Sequence, residues 1–105
     1  MSAPGTHPRF ALESVLAHPV RFSIVAALAA VERMAFGDLR DDLQVSDSVL
    51  SKQISELESA GLVAATKSFE GKRPRTTLAL TKDGLSRWHR HLAALRAIAA
   101  GDGAG

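Results

Sequence analysis

The chain has 105 residues with no Cys, a length that holds one small domain and a composition that excludes disulfides, thiolate zinc sites and thiol catalysis. Hydrophobic residues at 46% and charged residues at 23% exclude global disorder. The net charge of +2 is unevenly spread: −3 over residues 9–65, +4 over residues 66–82 and +1 over residues 83–105, and this local basic spike points to a polyanion contact.

Residues 1–8, with Pro4, Gly5 and Pro8, read as a flexible arm, and GDGAG at 101–105 as a flexible tail, so a single domain is expected over 9–100. The start lacks a charged segment followed by an apolar stretch, and no apolar run approaches the roughly 18 residues of a membrane span; a cytoplasmic protein is expected. Residues 9–17 place Phe10, Leu12, Val15 and Leu16 near helical spacing, which predicts a helix. Pro19 stops it, with His18 at a helix end, and suits the first position of the next helix. That helix, 19–30, carries the stripe Val20, Ile24, Val25 and Leu28 and should be largely buried. Residues 31–36 are a connector or single strand. Phe36, Leu39 and Leu43 predict a two-turn amphipathic helix over 36–44.

Ser46 is a suitable N-cap for a helix at 47–60, with Asp47 favourable in its first turn. Leu50, Ile54 and Leu57 form its apolar stripe, and Gly61 is the expected stop. Residues 62–69 and 76–81 read as strands joined by EGKRPR, a hairpin with a six-residue basic tip. Thr81 caps a last helix at 82–100. There Leu85, Trp88, Leu92, Leu95 and Ala99 recur at steps of three and four, a seam against another helix. The expected fold is mainly α with a β-hairpin, in the order α-α-α-α-β-β-α. It is a winged helix-turn-helix, from two short helices joined by a tight turn with the hairpin behind them.

Three stretches carry a resemblance over about residues 10–95: S-K-Q-I-x-x-L-E-x-A-G-L-V from Ser51, F-E-G-K-R-P-R-T from Phe69, and L-T-x-x-G from Leu80. Together they resemble the winged-helix transcriptional regulators of the MarR/ArsR type, in particular the short single-domain group often called winged-helix DNA-binding domain proteins. The resemblance implies a homodimer that reads a palindromic operator on double-stranded DNA, expected here to act as a repressor. It also implies dimer clefts that hold small molecules, so an effector of unspecified chemistry is a further expected partner. MarR proteins have a further helix after this point, so the dimer is expected to follow the ArsR arrangement.

The residues fit that reading. On the helix at 47–60, Ser48, Ser51, Lys52 and Ser55 lie opposite the apolar stripe, with Gln53 at the border. Short hydroxyls allow close approach, Gln53 can pair with adenine, and Lys52 can meet a phosphate or guanine. Lys72, Arg73 and Arg75 on the wing suit phosphates or a narrow minor groove. In related regulators an acidic residue orients the wing arginine, a role open to Glu70 toward Arg73. The dimer interface is expected on the first and last helices, at Phe10, Val15, Leu85, Trp88, Leu92 and Leu95. His89 and His91 diverge by about 200° on a helix, and without further ligands no metal and no cofactor is expected. With no Gly-rich phosphate loop and no G-x-S-x-G, an enzyme is not expected. The contrasting function is a protein-interaction adaptor whose basic wing binds an acidic partner.

Overall fold

The computed structural model describes residues 6–101. Most of the expected arm and tail therefore lies outside the described residues. Two short 3-10 turns, Pro8–Ala11 and Ser14–Ala17, precede helix α1 at Pro19–Ala29. The continuous helix expected over 9–17 does not form, because Leu12 and Glu13 are extended (φ −72°, ψ 146° and φ −92°, ψ 112°). Distant partners hold this break open. The Glu13 backbone N–H donates to His91 Nδ1 at 3.0 Å, and its carboxylate accepts from Arg87 at 2.7 and 3.1 Å. A helix would consume that N–H internally and swing the carboxylate away.

His18 caps α1, its Nδ1 accepting from the Val20 N–H, with Pro19 at the first helical position. From Val20 to Ala29 every residue is buried or half-buried. The helix is central, packed against α2 (Phe36–Leu43), α3 (Asp47–Ser59), β3 (Arg73–Leu80) and α4 (Lys82–Ala99). With β1 (Met34–Ala35) and β2 (Val63–Glu70), β3 forms an antiparallel sheet in the order β1-β3-β2. The α2–α3 turn needs a left-handed residue, and Gln44 supplies it at φ 56°.

The hairpin differs from its expected form. Pairing runs through Ser68↔Arg75, Phe69↔Pro74 and Glu70↔Arg73, so the tip is the two-residue turn Gly71-Lys72, with Gly71 at φ 64°. Residues 70 and 73–75, read as loop from their charge and proline, belong to strands. Pro74 is tolerated there because β1 pairs only with Leu78 and Thr77; beyond them that side of β3 is an edge and needs no N–H donor.

The core gathers Leu16, Ile24, Val25, Leu28, Leu39, Leu50, Ile54, Leu57, Leu62, Val63, Leu78 and Trp88. Trp88 corrects the reading of the last helix. Its ring is 6% exposed and stands edge-on to Phe22 of the same chain at 5.0 Å. The buried face of α4 is Gly84, Trp88, His91 and Ala94, rotated from the expected seam, while Leu85 is 39% exposed. Gly84 sets this rotation by close approach: a Cβ there would overlap the Leu62 carbonyl oxygen. Among the described residues no helix is long and apolar enough to cross a membrane.

Candidate nucleic-acid interface

Helix α3 is fixed at both ends. The Val49 N–H donates to the Ser46 Oγ at 3.2 Å, the expected cap. Arg40 of α2 reaches Asp41 and Asp47, each at 2.9 Å, tying α2 to the first turn of α3. The two carboxylates hold the Arg40 guanidinium charged well above its ordinary range, Asp41 contributing most. At the other end Gly61, at φ 79°, turns the chain into β2.

Leu50, Ile54 and Leu57 bury one face of α3, and Ser48, Ser51, Lys52 and Ser55 are exposed on the other. Among the described residues Lys52 makes no ion pair. The helix thus presents short hydroxyls and one cation to solvent. Gln53 does not join them. It is 7% exposed, and its Oε1 accepts from Arg21 Nη1 at 2.9 Å, while Arg21 Nε donates to the Val15 carbonyl at 2.7 Å. Its expected part in base reading is therefore withdrawn: an amide facing inward to satisfy a half-buried guanidinium cannot also reach a base edge.

On the wing Lys72, Arg73 and Arg75 are all exposed. Glu70 orients an arginine as expected, but the partner is Arg75, at 2.7 Å, rather than Arg73. Glu70 and Arg73 are directly opposed across the strands, whereas Arg75 lies two residues further and makes the diagonal contact on the same face. The hydrogen bond from Arg75 to Glu70 raises the guanidinium further above its ordinary value. Arg73, Lys72, Lys67 and Lys52 make no ion pair among the described residues, so their charge is available to an external anion.

Lys67 was not singled out from the sequence beyond its place in the basic stretch. Two-residue alternation from Val63 through Ala65 carries it onto the face of the sheet that packs on the helices. Arg21, Glu13 and Arg87 were also missed as supports, because each works through a partner far along the chain.

The expected interface residues fall into three groups. Phe10 is 67% exposed, with the Arg9 guanidinium 4.3 Å from its ring centroid. Leu85 is exposed, whereas Val15, Leu92 and Leu95 are half-buried. Trp88 lies within the chain's own core. Next to these a mainly apolar cleft between the N-terminal segment, α1 and α4 is lined by Leu12, Leu16, Phe22, His91 and Leu95, with Arg9 at its rim. His89 is exposed and His91 buried, with its Nδ1 engaged by Glu13. Burial pushes the His91 pKa below its ordinary value.

Comparison with known proteins agrees with this geometry. A search of curated proteins gave no match. Among solved structures the chain is similar to a transcriptional regulator homologue from Pyrococcus horikoshii OT3 (30% identity, TM-score 0.81, covering 89% of this chain and 93% of that one). It is similar to AbsC, a MarR family transcriptional regulator from Streptomyces coelicolor (28% identity, TM-score 0.65, 85% of this chain and 66% of that one). It is also similar to NadR, solved in complex with 4-hydroxyphenylacetate (25% identity, TM-score 0.68, 93% of this chain and 70% of that one). The model of the winged helix DNA-binding domain family matches residues 20–99, from the second residue of α1 to the last residue of α4. With that match spanning every helix and strand of the sheet-and-helix core, the chain belongs to the winged helix DNA-binding domain family.

Proposed function

We propose that this protein is a transcriptional regulator of the MarR-like type that binds double-stranded DNA as a homodimer and represses by occupying a palindromic operator. The observation that carries this is the pairing of an exposed polar face on α3 with a basic wing on which Lys72 and Arg73 make no ion pair among the described residues. Ser48, Ser51, Lys52 and Ser55 enter the major groove, where short side chains permit close approach to base edges. Lys72 and Arg73 meet phosphates or the minor groove, and Arg75 does so in the orientation set by Glu70. The dimer forms through Phe10, Val15, Leu85, Leu92 and Leu95, apolar residues of the N-terminal segment and α4 that the single chain leaves exposed or half-buried. A small-molecule effector fits the apolar cleft beside His91. A DNA-bound regulator places the protein in the cytoplasm.

A gel shift against genomic fragments tests the reading. Selection of specific fragments supports it, and binding of none, with capture of an acidic protein instead, refutes it in favour of an adaptor. On a selected fragment, Arg73→Ala weakens specific and random DNA alike and flattens the salt dependence by about one unit per subunit, because a phosphate contact carries no sequence information. Ser51→Ala weakens the selected fragment more than random DNA.

A further inference from the structure

The wing carries an apolar feature that phosphate binding does not use. Phe69 is 73% exposed, the most exposed of the large hydrophobic residues among those described. Its strand partner is Pro74. Alternation places both on the sheet face that bears Val63, Ala65 and Leu78, the face that packs on the helices. Leu78 is the last residue of that face toward the tip that is fully buried. Phe69 lies four residues beyond its partner Ala65, about 13 Å at roughly 3.3 Å per residue, and stands clear of the core. It contributes nothing to packing there, and an uncovered aromatic near the end of an edge strand invites association.

We infer that Phe69, backed by Pro74, is a wedge that presses between stacked bases in the groove the wing enters, and that the protein bends the duplex it selects. This rests on the DNA-binding reading above. The occupant is chosen by charge. Lys67 shares the face of Phe69, Lys72 and Arg73 flank the tip, and the acid of the strand itself, Glu70, lies on the opposite face and is held by Arg75. An apolar side chain framed by unpaired cations matches the apolar face of a base framed by phosphates. Side chains such as Phe and Pro open base steps in this way, and the bend that results brings more of the backbone to the protein's cations. Flexible pyrimidine–purine steps yield most easily, so the wedge gives sequence preference at a position where no hydrogen bond reads a base.

The test uses the full chain and a duplex of about 30 base pairs selected by it from a random pool, carrying a fluorophore at each end. Wild type bends this duplex, read as a rise in end-to-end energy transfer. Phe69→Ala binds it roughly tenfold more weakly and no longer bends it, with the slope of affinity against salt unchanged because no charge is removed. Phe69→Leu keeps most of the bend. The melting temperature of each variant matches wild type, since the side chain is outside the core. Bending and affinity in Phe69→Ala equal to wild type overturn the wedge while leaving the DNA-binding reading intact. Failure of wild type to select any duplex overturns both. If Phe69→Ala instead lowers the sedimenting mass in the absence of DNA, the residue serves contact between copies and the wedge is refuted.

Discussion

Gly84→Ala sets two rules against each other. Gly84 is the third residue of α4, where alanine is the better helix former by about 1 kcal/mol, so propensity alone predicts a gain in stability. The surroundings predict a loss. A Cβ at this position overlaps the Leu62 carbonyl oxygen and lies 3.0 Å from Leu62 C and Cα. The obstacle is backbone at the entry to β2, so no rotamer change relieves it. The shift would also disturb a shared anchor, since Thr81 Oγ1 accepts from the Gly84 N–H at 2.8 Å and donates to the Gly61 carbonyl at 2.7 Å. Forced overpacking costs about 1–3 kcal/mol, and the rigidity of the neighbour argues for the upper end. The net loss is about 2 kcal/mol after the propensity gain. For a domain of this size that lowers the melting temperature by roughly 8–16 °C. Thermal and urea unfolding followed by far-ultraviolet circular dichroism measure it. A variant as stable as wild type, or more so, refutes the close approach of α4 to Leu62.

Three further outcomes follow from the core. Gln53→Ala strips the Arg21 guanidinium of one of its two partners and costs about 1–3 kcal/mol in urea unfolding, whereas Lys52→Ala leaves stability within about 0.5 kcal/mol; the reverse order places Gln53 outside. Trp88→Ala costs about 3–5 kcal/mol, and the wild-type emission is unmoved by dilution because the ring faces Phe22 of its own chain; a dilution-dependent shift assigns it to an interface. Stability depends on pH through two groups depressed in the fold. Burial lowers His91 from its ordinary 6.5, so the unfolded chain takes up that proton first; its contribution is complete above about pH 6.5 and is lost as pH falls through the lower folded value. The hydrogen bond from Arg87 lowers Glu13 from 4.5, and that contribution is lost in turn as pH falls below 4.5. A stability curve flat from pH 6.5 down to the carboxylate range refutes the buried neutral imidazole.

What could be read from the sequence was what neighbouring residues decide. Ser46 and Thr81 cap, Pro19 begins and Gly61 ends their helices through contacts within a few residues, and all four stand where local chemistry puts them. The exposed face of α3 was legible because Leu50, Ile54 and Leu57 name its opposite. Gln53, one residue from Ile54, sits at the border of that face, and what turns it inward is an arginine 32 residues away. The bend at Glu13 depends on groups 74 and 78 residues away, so nine residues of helical spacing could not reveal it. On α4, hydropathy counts Gly84 and His91 as gaps, yet both lie on the buried face, one for lack of a side chain and the other to accept a backbone N–H. The wing was read as loop because its two faces are both solvated near the tip, which erases the alternation that marks a half-buried strand.

Several long-range contacts meet at Arg87. Its guanidinium donates to both carboxylate oxygens of Glu13, to the Ala60 carbonyl at 2.8 Å and to Asp83 at 3.3 Å. Both Glu13 and Arg87 side chains are only 19% exposed, so the pair is less screened by water than the Glu70–Arg75 pair on the wing. A two-point arginine–carboxylate contact fixes orientation as well as distance. Ala60 is the residue on which α3 ends, and the Thr81–Gly61 bond pins the next residue to the start of α4. The base of the candidate recognition helix is therefore held to α4 at two successive residues, and α4 is held to the N-terminal segment through the same arginine. The N-terminal segment and α4 also line the apolar cleft and carry the residues proposed for the dimer contact. The N-terminal segment and the end of α3 are thus joined through the single side chain of Arg87.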